Sequence, residues 1–538
     1  MYTIINVPCQ NYQDQNPGTS GLRKKIKVFQ QQHYLQSYTQ AIFNAIEIAG
    51  KSIVIGGDGR YYNKEALQII VAMLIANGAA KVFITQEALL STPAASNIIR
   101  KYKLDFGIIL SASHNPAGPN GDFGIKLNGS NGAPAGVNLT KAIYEETLKL
   151  KEFKTIDNFN IDISKLGETK ALNTNIMVID AIKDYVELMA EIFDFELISK
   201  YIKTNKFKFL FNAFYGITSP YAKEIFINRL GLSEEYLTNN VSKEDFGGLI
   251  PDPNPITAKE FVAKVRSDKN ITLGLACDGD GDRNFIFSHK HYLEPSDSLA
   301  LILEHANLLP YYAGKVYGVA RSKATSSAVD LVAKKLGIHT YIVPTGWKYF
   351  SNLLDAKKIT LCGEESFGTG SNHVREKDGL WAVLCWLNII AATGKSLDDL
   401  IHNMWEKYGR VYYTRYDFEN IDSNTASNML HNLRGNTIKS VGKEIKPGFI
   451  LLKANDFEYT DIVDGTKVDK QGFVITFSNG AEIIIRTSGT GTQGVTIRVY
   501  IHQLENKNIF MNKSEYLDDL VNVFYYLLAD KIKPTMIV

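Results

Sequence analysis

The chain has 538 residues, of which 45% are hydrophobic and 22% charged, and a formal net charge of +2. That length exceeds one hydrophobic core and sets an expectation of about three to five domains. The balanced charge lacks the basic footprint of a nucleic-acid binder, and the longest apolar runs, 66–76 and 380–392, are too short to span a bilayer and read as core helices. Small molecules are therefore the expected partners, with neither nucleic acid nor membrane; the sequence leaves monomer and dimer both open.

The opening Met1–Gln15 is polar and has no basic flank followed by an apolar run, so it does not read as a signal peptide. Cys9, Cys277, Cys362 and Cys385 are widely spaced with no Cys-x-x-Cys, which suits reduced thiols in a cytoplasmic protein. From residue 52 a pattern repeats. A strand at 52–56 leads into the turn Gly56-Gly-Asp-Gly-Arg60, a helix to Gly78 and a strand at 81–85. The same order recurs from a strand at 208–212, through a helix to Gly231, into a further strand. It recurs again from a strand at 315–320, through a helix capped by Gly337, to a strand at 340–343. Strand, turn, helix, glycine, strand is the signature of a mostly parallel sheet covered by helices. The end differs: strands at 472–477, 481–485 and 495–500 follow one another closely, and 516–528 reads as a closing helix. The expected fold is three similar α/β domains with mixed, mostly parallel sheets in series, plus a C-terminal α+β domain. The expected limits are 1–188, 189–296, 297–407 and 408–538.

Ligands of such sheets bind beyond the carboxyl ends of the strands, and four loops there carry chemistry. Ser111-Ala-Ser113-His114-Asn115-Pro116 follows an apolar strand and offers a hydroxyl at Ser113 and a proton carrier at His114; Lys126 returns a cation. Asp278-Gly-Asp280-Gly-Asp282-Arg283 follows the apolar run 271–277. Read as extended backbone, its three carboxylates point to one side, where they repel unless they protonate or hold a hard divalent ion, Mg²⁺ if phosphate is near. An EF-hand loop is excluded, because its sixth and twelfth positions are Arg283 and His289. Gly363-Glu364-Glu365-Ser366-Phe367-Gly368 suits sugar hydroxyls, with His373, Arg375, Lys377 and Asp378 just beyond. Arg486-Thr-Ser488-Gly489-Thr490-Gly-Thr-Gln-Gly494 contains Gly-x-Gly-x-x-Gly, but a strand rather than a helix follows, so a dinucleotide site is excluded. A kinase glycine loop is excluded too, for want of its companion motifs. A phosphate cradle remains, of backbone N–H groups, hydroxyls and the cations Arg486 and Arg498.

With Ser111–Pro116, Asp278–Asn284, Pro344-Thr-Gly-Trp-Lys348, the stretch from Cys362 to Asp378 and Arg486–Gly491 in this order, the chain resembles the phosphoglucomutases of the α-D-phosphohexomutase superfamily, and its Glu-Glu-Ser-Phe-Gly-Thr-Gly-Ser loop is similar to the glucose-preferring branch. The resemblance implies four domains around a central cleft. It implies that Ser113 carries the phosphoryl group and that Asp278, Asp280 and Asp282 bind one Mg²⁺ per chain, with the phosphoserine completing the set. It implies proton transfer at His114 or Lys126, and Arg283 beside the phosphoserine. Thr345, Gly346, Glu364 and Ser366 resemble sugar-specificity positions, and Arg23 and Lys377 resemble substrate contacts. Arg486, Ser488, Gly489, Thr490 and Arg498 resemble the site for the non-reacting phosphate. The implied reaction interconverts glucose 1-phosphate and glucose 6-phosphate through glucose 1,6-bisphosphate, which also acts as activator. Excluding water from it asks the last domain to close, hinging near 405–412. Ser111 replaces the usual Thr and Ala117 the usual Gly, and neither change removes a catalytic atom. A phosphatase working through a phosphoserine is the rival, but it needs no second phosphate site.

Overall fold

Each of the three repeats folds around the same four-strand unit in a computed structural model that describes residues 2–18, 20–488, 494–529 and 532–537. In the first, Ser52–Gly57 lies parallel to Lys81–Leu89 and Phe106–Leu110, and Asp122–Asn128 returns antiparallel beside Phe106–Leu110. In the second, Phe209–Asn212 is flanked in parallel by Leu237–Thr238 and Leu273–Cys277, and Asn284–Phe287 returns. In the third, Gly318–Ser322 is flanked by His339–Val343 and Leu361–Glu364, and Gly368–Ser371 returns. Leu22–Lys25, Thr174–Ile179 and Gly167–Ala171 widen the first sheet to seven strands. Helices cover these sheets, which is why strands such as Leu273–Cys277 are buried at every position and read as continuous apolar runs.

The repeat has a direct consequence for function. In all three units the third parallel strand turns into the antiparallel return through one loop. That loop holds Ser113 in the first unit, the aspartates in the second and the Glu364–Phe367 stretch in the third. Three equivalent strand-end loops therefore supply three of the four candidate motifs.

The fourth unit is an antiparallel sheet of seven strands. The helices Ser423–Lys439 and Lys513–Leu528 bury Leu433, Leu520 and Phe524 with Ile475, Ile483 and Ile501 of the sheet. Its first strand, Arg410–Ile421, begins one residue after the helix Leu397–Tyr408, and Gly409 between them has φ 87°. The α+β reading of the chain end is borne out, as is the three-plus-one architecture.

Two details differ from expectation. The helix expected up to Gly231 is a short α-turn, Thr218–Ala222, continued by a π-helix at Lys223–Arg229. The strand expected from Lys315 starts at Gly318 instead. Thr360 takes the preceding backbone, accepting from the Tyr317 N–H at 2.9 Å and donating to the Lys315 carbonyl at 3.1 Å. Among the described residues no single helix is long and apolar enough to cross a membrane; Gly379–Thr393 and Leu397–Tyr408 reach that length only as a pair bent by 84°.

Candidate active site

The aspartates converge by a turn and not by strand alternation, which corrects the extended reading. The strand ends at Cys277, and the Gly281 N–H donates back to the Asp278 carbonyl at 3.2 Å. Gly281 takes φ 80°, a left-handed conformation costly for other residues. At Gly279 a Cβ would sit 2.9 Å from the Ser113 carbonyl, so glycine lets the two loops touch. One oxygen from each of Asp278, Asp280 and Asp282 lies within 4.8 Å of the others, and all three residues are buried. Burial, with Asp282 and Asp280 alongside, pushes the Asp278 carboxyl well above its usual range. Burial would raise Asp280 as well, but its ion pair with Lys126 holds it well below. Asp282 Oδ1 is a buried acceptor with no hydrogen-bond partner among the described residues. Hard oxygen donors, a shared negative charge and an unspent acceptor fit a divalent cation such as Mg²⁺.

Ser113 reaches directly into this group. Its side chain is 2% exposed, and its hydroxyl donates to Asp280 Oδ1 at 2.9 Å. The residue is held with φ 55°, a strained region for serine that needs support from its surroundings. That support is a chain of buried contacts. The Ser113 N–H donates to Ser111 Oγ at 2.7 Å, Ser111 donates to Asp58 at 2.6 Å, and Arg60 donates to the Ser113 carbonyl at 2.6 Å. Asp58 and Arg60 are themselves paired, both side chains fully buried, at 2.9 Å. The Gly56–Arg60 turn, visible in the sequence as the glycine-rich turn of the first repeat, is thus the platform of the serine loop. The Ser111 hydroxyl is what this platform uses, so replacing Thr there costs nothing needed.

Cations close around the carboxylates. Lys126 bonds Asp280 and Thr92 Oγ1, and Thr92 donates to the same Asp280 oxygen at 2.7 Å. Arg283 donates through its backbone to Asp278 at 3.0 Å and through its side chain to Asp252 at 2.8 Å. Lys377, from the third unit, pairs with Asp282 at 3.2 Å. Arg23 faces the same ground: burial lowers it, while Asp280 and Asp282 favour its charge. His114 is kept neutral, chiefly by burial and then by Arg283, and its Nδ1 is buried without a partner among the described residues.

The third unit contributes Glu364, whose Oε1 accepts the Gly346 N–H at 2.7 Å and whose carboxyl is raised by burial. Gly346 has φ 128°, and Thr345 Oγ1 is buried with no partner among the described residues. Ser366 is half-buried beside them. The charged stretch beyond is no solvated loop. Arg375 binds Asp355 at 2.6 Å, and His373 lies between Ser371 at 2.6 Å and Asp378 at 3.0 Å. These two residues build the loop from which Lys377 reaches out.

In the fourth unit Arg486 and Arg498 stand opposite one another on neighbouring strands. Gly489 and Thr490 lie outside the described residues, and Ser488 is described only as the last residue of Glu482–Ser488. Lys323 of the third unit pairs with Glu482 at 2.7 Å, beside this face. Sequence reasoning missed Asp58, Arg60, Thr92 and Asp252, which touch the candidate residues from other elements, and Arg415 and Asp417, which adjoin the arginines. Asp58 and Arg60 sit in the glycine turn at 56–60 and the others outside the motif loops, so only the folded contacts tie them to the site.

Descriptions of known protein families tile the chain. Phosphoglucomutase/phosphomannomutase alpha/beta/alpha domains I, II and III match residues 14–154, 183–291 and 295–408, and the Phosphoglucomutase-1 C-terminal domain matches 410–531. The chain belongs to the phosphoglucomutase/phosphomannomutase family. Within it, the Phosphoglucomutase of Schizosaccharomyces pombe is 45% identical over 540 residues, covering 98% of this chain and 97% of that protein. The Phosphoglucomutase of Rhizobium radiobacter is 49% identical over 504 residues, covering 94% and 92%. The crystal structure of the Paramecium phosphoprotein pp63/parafusin, a phosphoglucomutase in an open form, superposes with a TM-score of 0.92 at 40% identity over 99% of both chains.

Proposed function

We propose that this chain is a phosphoglucomutase interconverting glucose 1-phosphate and glucose 6-phosphate, with Ser113 carrying the phosphoryl group and glucose 1,6-bisphosphate as intermediate and activator. The observation that carries the reading is the buried Ser113 hydroxyl 2.9 Å from Asp280, inside a ring of three carboxylates. Full-length relatives that are named phosphoglucomutases support it.

In the forward direction the Ser113 Oγ–P bond breaks and an O6–P bond forms. The O6 proton leaves to a base in the site, and the departing serine oxygen takes up a proton; after the bisphosphate turns over, the O1–P bond breaks, the Ser113 Oγ–P bond re-forms, Oγ gives up its proton and O1 gains one. Lys126 or His114 would take the O6 proton. His114 is neutral and has a ring nitrogen to spare. Lys126 is held in an ion pair with Asp280. Asp278, Asp280 and Asp282 would hold Mg²⁺, which neutralises charge on the moving phosphoryl group when bound. Glu364, Ser366, Thr345 and Gly346 would select the sugar, Arg23 and Lys377 would touch the substrate, and Arg283 would lie beside the phosphoserine. Arg486 and Arg498, with Ser488, Gly489 and Thr490, would receive the phosphate that is not reacting. The bisphosphate must turn over between transfers, so one anion site serves both phosphates. A phosphatase would have no use for that cradle. The fourth domain would close by turning about Gly409, and free thiols suit a cytoplasmic setting.

The test is a coupled assay for glucose 6-phosphate from glucose 1-phosphate, Mg²⁺ and trace glucose 1,6-bisphosphate, with mass spectrometry of the Ser113 peptide. Turnover with a phosphorylated Ser113 is expected. Absence of product under these conditions sinks the mutase reading, and release of inorganic phosphate instead favours the phosphatase.

A further inference from the structure

One rung of the fourth domain's sheet carries an unusual row. Arg486 stands opposite Arg498, Arg498 opposite Asp417, and Asp417 opposite Met536 on the C-terminal strand Met536–Ile537. Directly paired residues share a face, and so does Arg415 two positions along from Asp417. Asp417 is 1% exposed. Arg415 Nε lies 3.0 Å from one of its oxygens and Arg498 Nε 3.7 Å from the other. Both guanidiniums thus meet the carboxylate through their Nε edge, the edge that leaves the two terminal nitrogens for a second anion. Neither Nε makes a well-aligned hydrogen bond among the described residues. Among the described residues the hydrogen-bond partner of Arg415 is the Met536 sulfur, at 3.9 Å from Nη2, and a thioether is a weak acceptor. Burial works against the charge of Arg415, and Asp417 first, then Tyr413, Tyr500 and Glu365 of the sugar loop, favour it. Arg498 remains 37% exposed, open to a ligand. On this row three arginines stand against one aspartate, so it offers positive charge to a phosphate.

We propose that Asp417 is a positioning residue that aims Arg415 and Arg498, and that Arg415 is a third cation of the phosphate cradle. The inference rests on the sugar-phosphate reading above. A buried carboxylate behind a guanidinium fixes its plane, as outer partners fix metal ligands, so little freedom is lost when the anion arrives. Arg486 has no such carboxylate opposite it in the register and is the adaptable member of the three.

Asp417→Asn keeps the volume and removes the charge, and Arg415→Lys keeps the charge and removes the fork. With glucose 1-phosphate and Mg²⁺, each is expected to raise KM about tenfold, with kcat changed by less than about threefold; Arg415→Lys, which keeps the charge, leaves the thermal midpoint unchanged, whereas Asp417→Asn also lowers it because Arg415 loses its buried partner. Asp417→Glu should recover part of the loss. A purely structural part would instead lower the thermal midpoint and kcat and leave KM alone, and that result, or wild-type KM in both variants, overturns the proposal. If Asp417→Asn does not fold, Arg415→Lys decides by the same criterion. If the wild type shows no turnover, the function reading has failed separately. Calorimetric binding of glucose 6-phosphate then decides: affinity about tenfold weaker in the variants supports the proposal, and equal affinity overturns it.

Discussion

The serine–aspartate centre and the arginine cradle are built on opposite principles. Around Ser113, buried groups from two domains are tied together: Thr92 and Lys126 of the first reach Asp280 of the second, and Asp58–Arg60 underpins the serine. The cradle stands on one sheet and reaches the third domain beside it through the Lys323–Glu482 pair, both partly exposed. The centre must hold reacting atoms in one geometry, and buried, paired charges achieve this by making every alternative costly. In the proposed reaction the cradle accepts a phosphate attached at either end of a sugar, which favours long side chains at an accessible face. Rigid chemistry and tolerant recognition are thereby assigned to different domains.

Four substitutions probe this division, from the largest expected effect to the smallest. Ser113→Ala removes the proposed phosphoryl carrier, and turnover should fall by on the order of 10⁴-fold or more while circular dichroism and thermal midpoint stay those of the wild type. Activity within tenfold of wild type would show that the centre does not work through this serine. Asp58→Ala touches no substrate yet strands the Arg60 charge in the interior. Denaturant unfolding should lose about 3–5 kcal/mol, and a loss below about 1 kcal/mol would mean that the centre is not held as tightly as its contacts suggest. Arg486→Ala strikes the tolerant side. KM for glucose 1-phosphate should rise by roughly 10–100-fold with little change in stability, and a drop confined to kcat would place Arg486 in the chemistry instead.

The fourth probe concerns the joint between the regions. Asp297 is buried, accepts the Trp405 indole N–H at 3.0 Å, and is pushed up by burial to about 7. Trp405 in turn lies under the Arg410 guanidinium at 3.9 Å, where the chain enters the fourth domain. An unfolded aspartate titrates near about 3.9, so between that pH and about 7 the folded protein holds a proton that the unfolded chain has lost. This contribution to stability is complete below the unfolded value and is lost as pH rises through the folded one. The thermal midpoint of the wild type should therefore carry a component that falls from pH 5 to pH 8, and Asp297→Asn should flatten it. An identical slope in the variant would assign that pH dependence to other groups.

Local pattern was enough for the repeats and the loops. Apolar runs bounded by glycine turns marked the strands, and the Asp-Gly-Asp-Gly-Asp run was legible as a cation site because like charges at close spacing need a partner. The same reasoning mistook how the aspartates meet. Alternation along a strand was the only local mechanism on offer, whereas the structure uses a turn with Gly281 at φ 80°. The stretch 372–378 reads as polar, and it is the partners Asp355, Ser371 and Trp381, distant or hidden in an apolar run, that make it a buried network.

By itself the sequence determined the order of domains, the identity of the chemical groups and the type of loop carrying each, because strand periodicity, turn residues and charge spacing are local properties. Only the tertiary structure decided which groups meet. It put Thr92, Asp58 and Asp252 beside motifs from which they are remote in the chain, and set Asp417 between two arginines. Those contacts depend on how separate sheets pack and on the register of paired strands, and neither is written in any stretch short enough to be read alone.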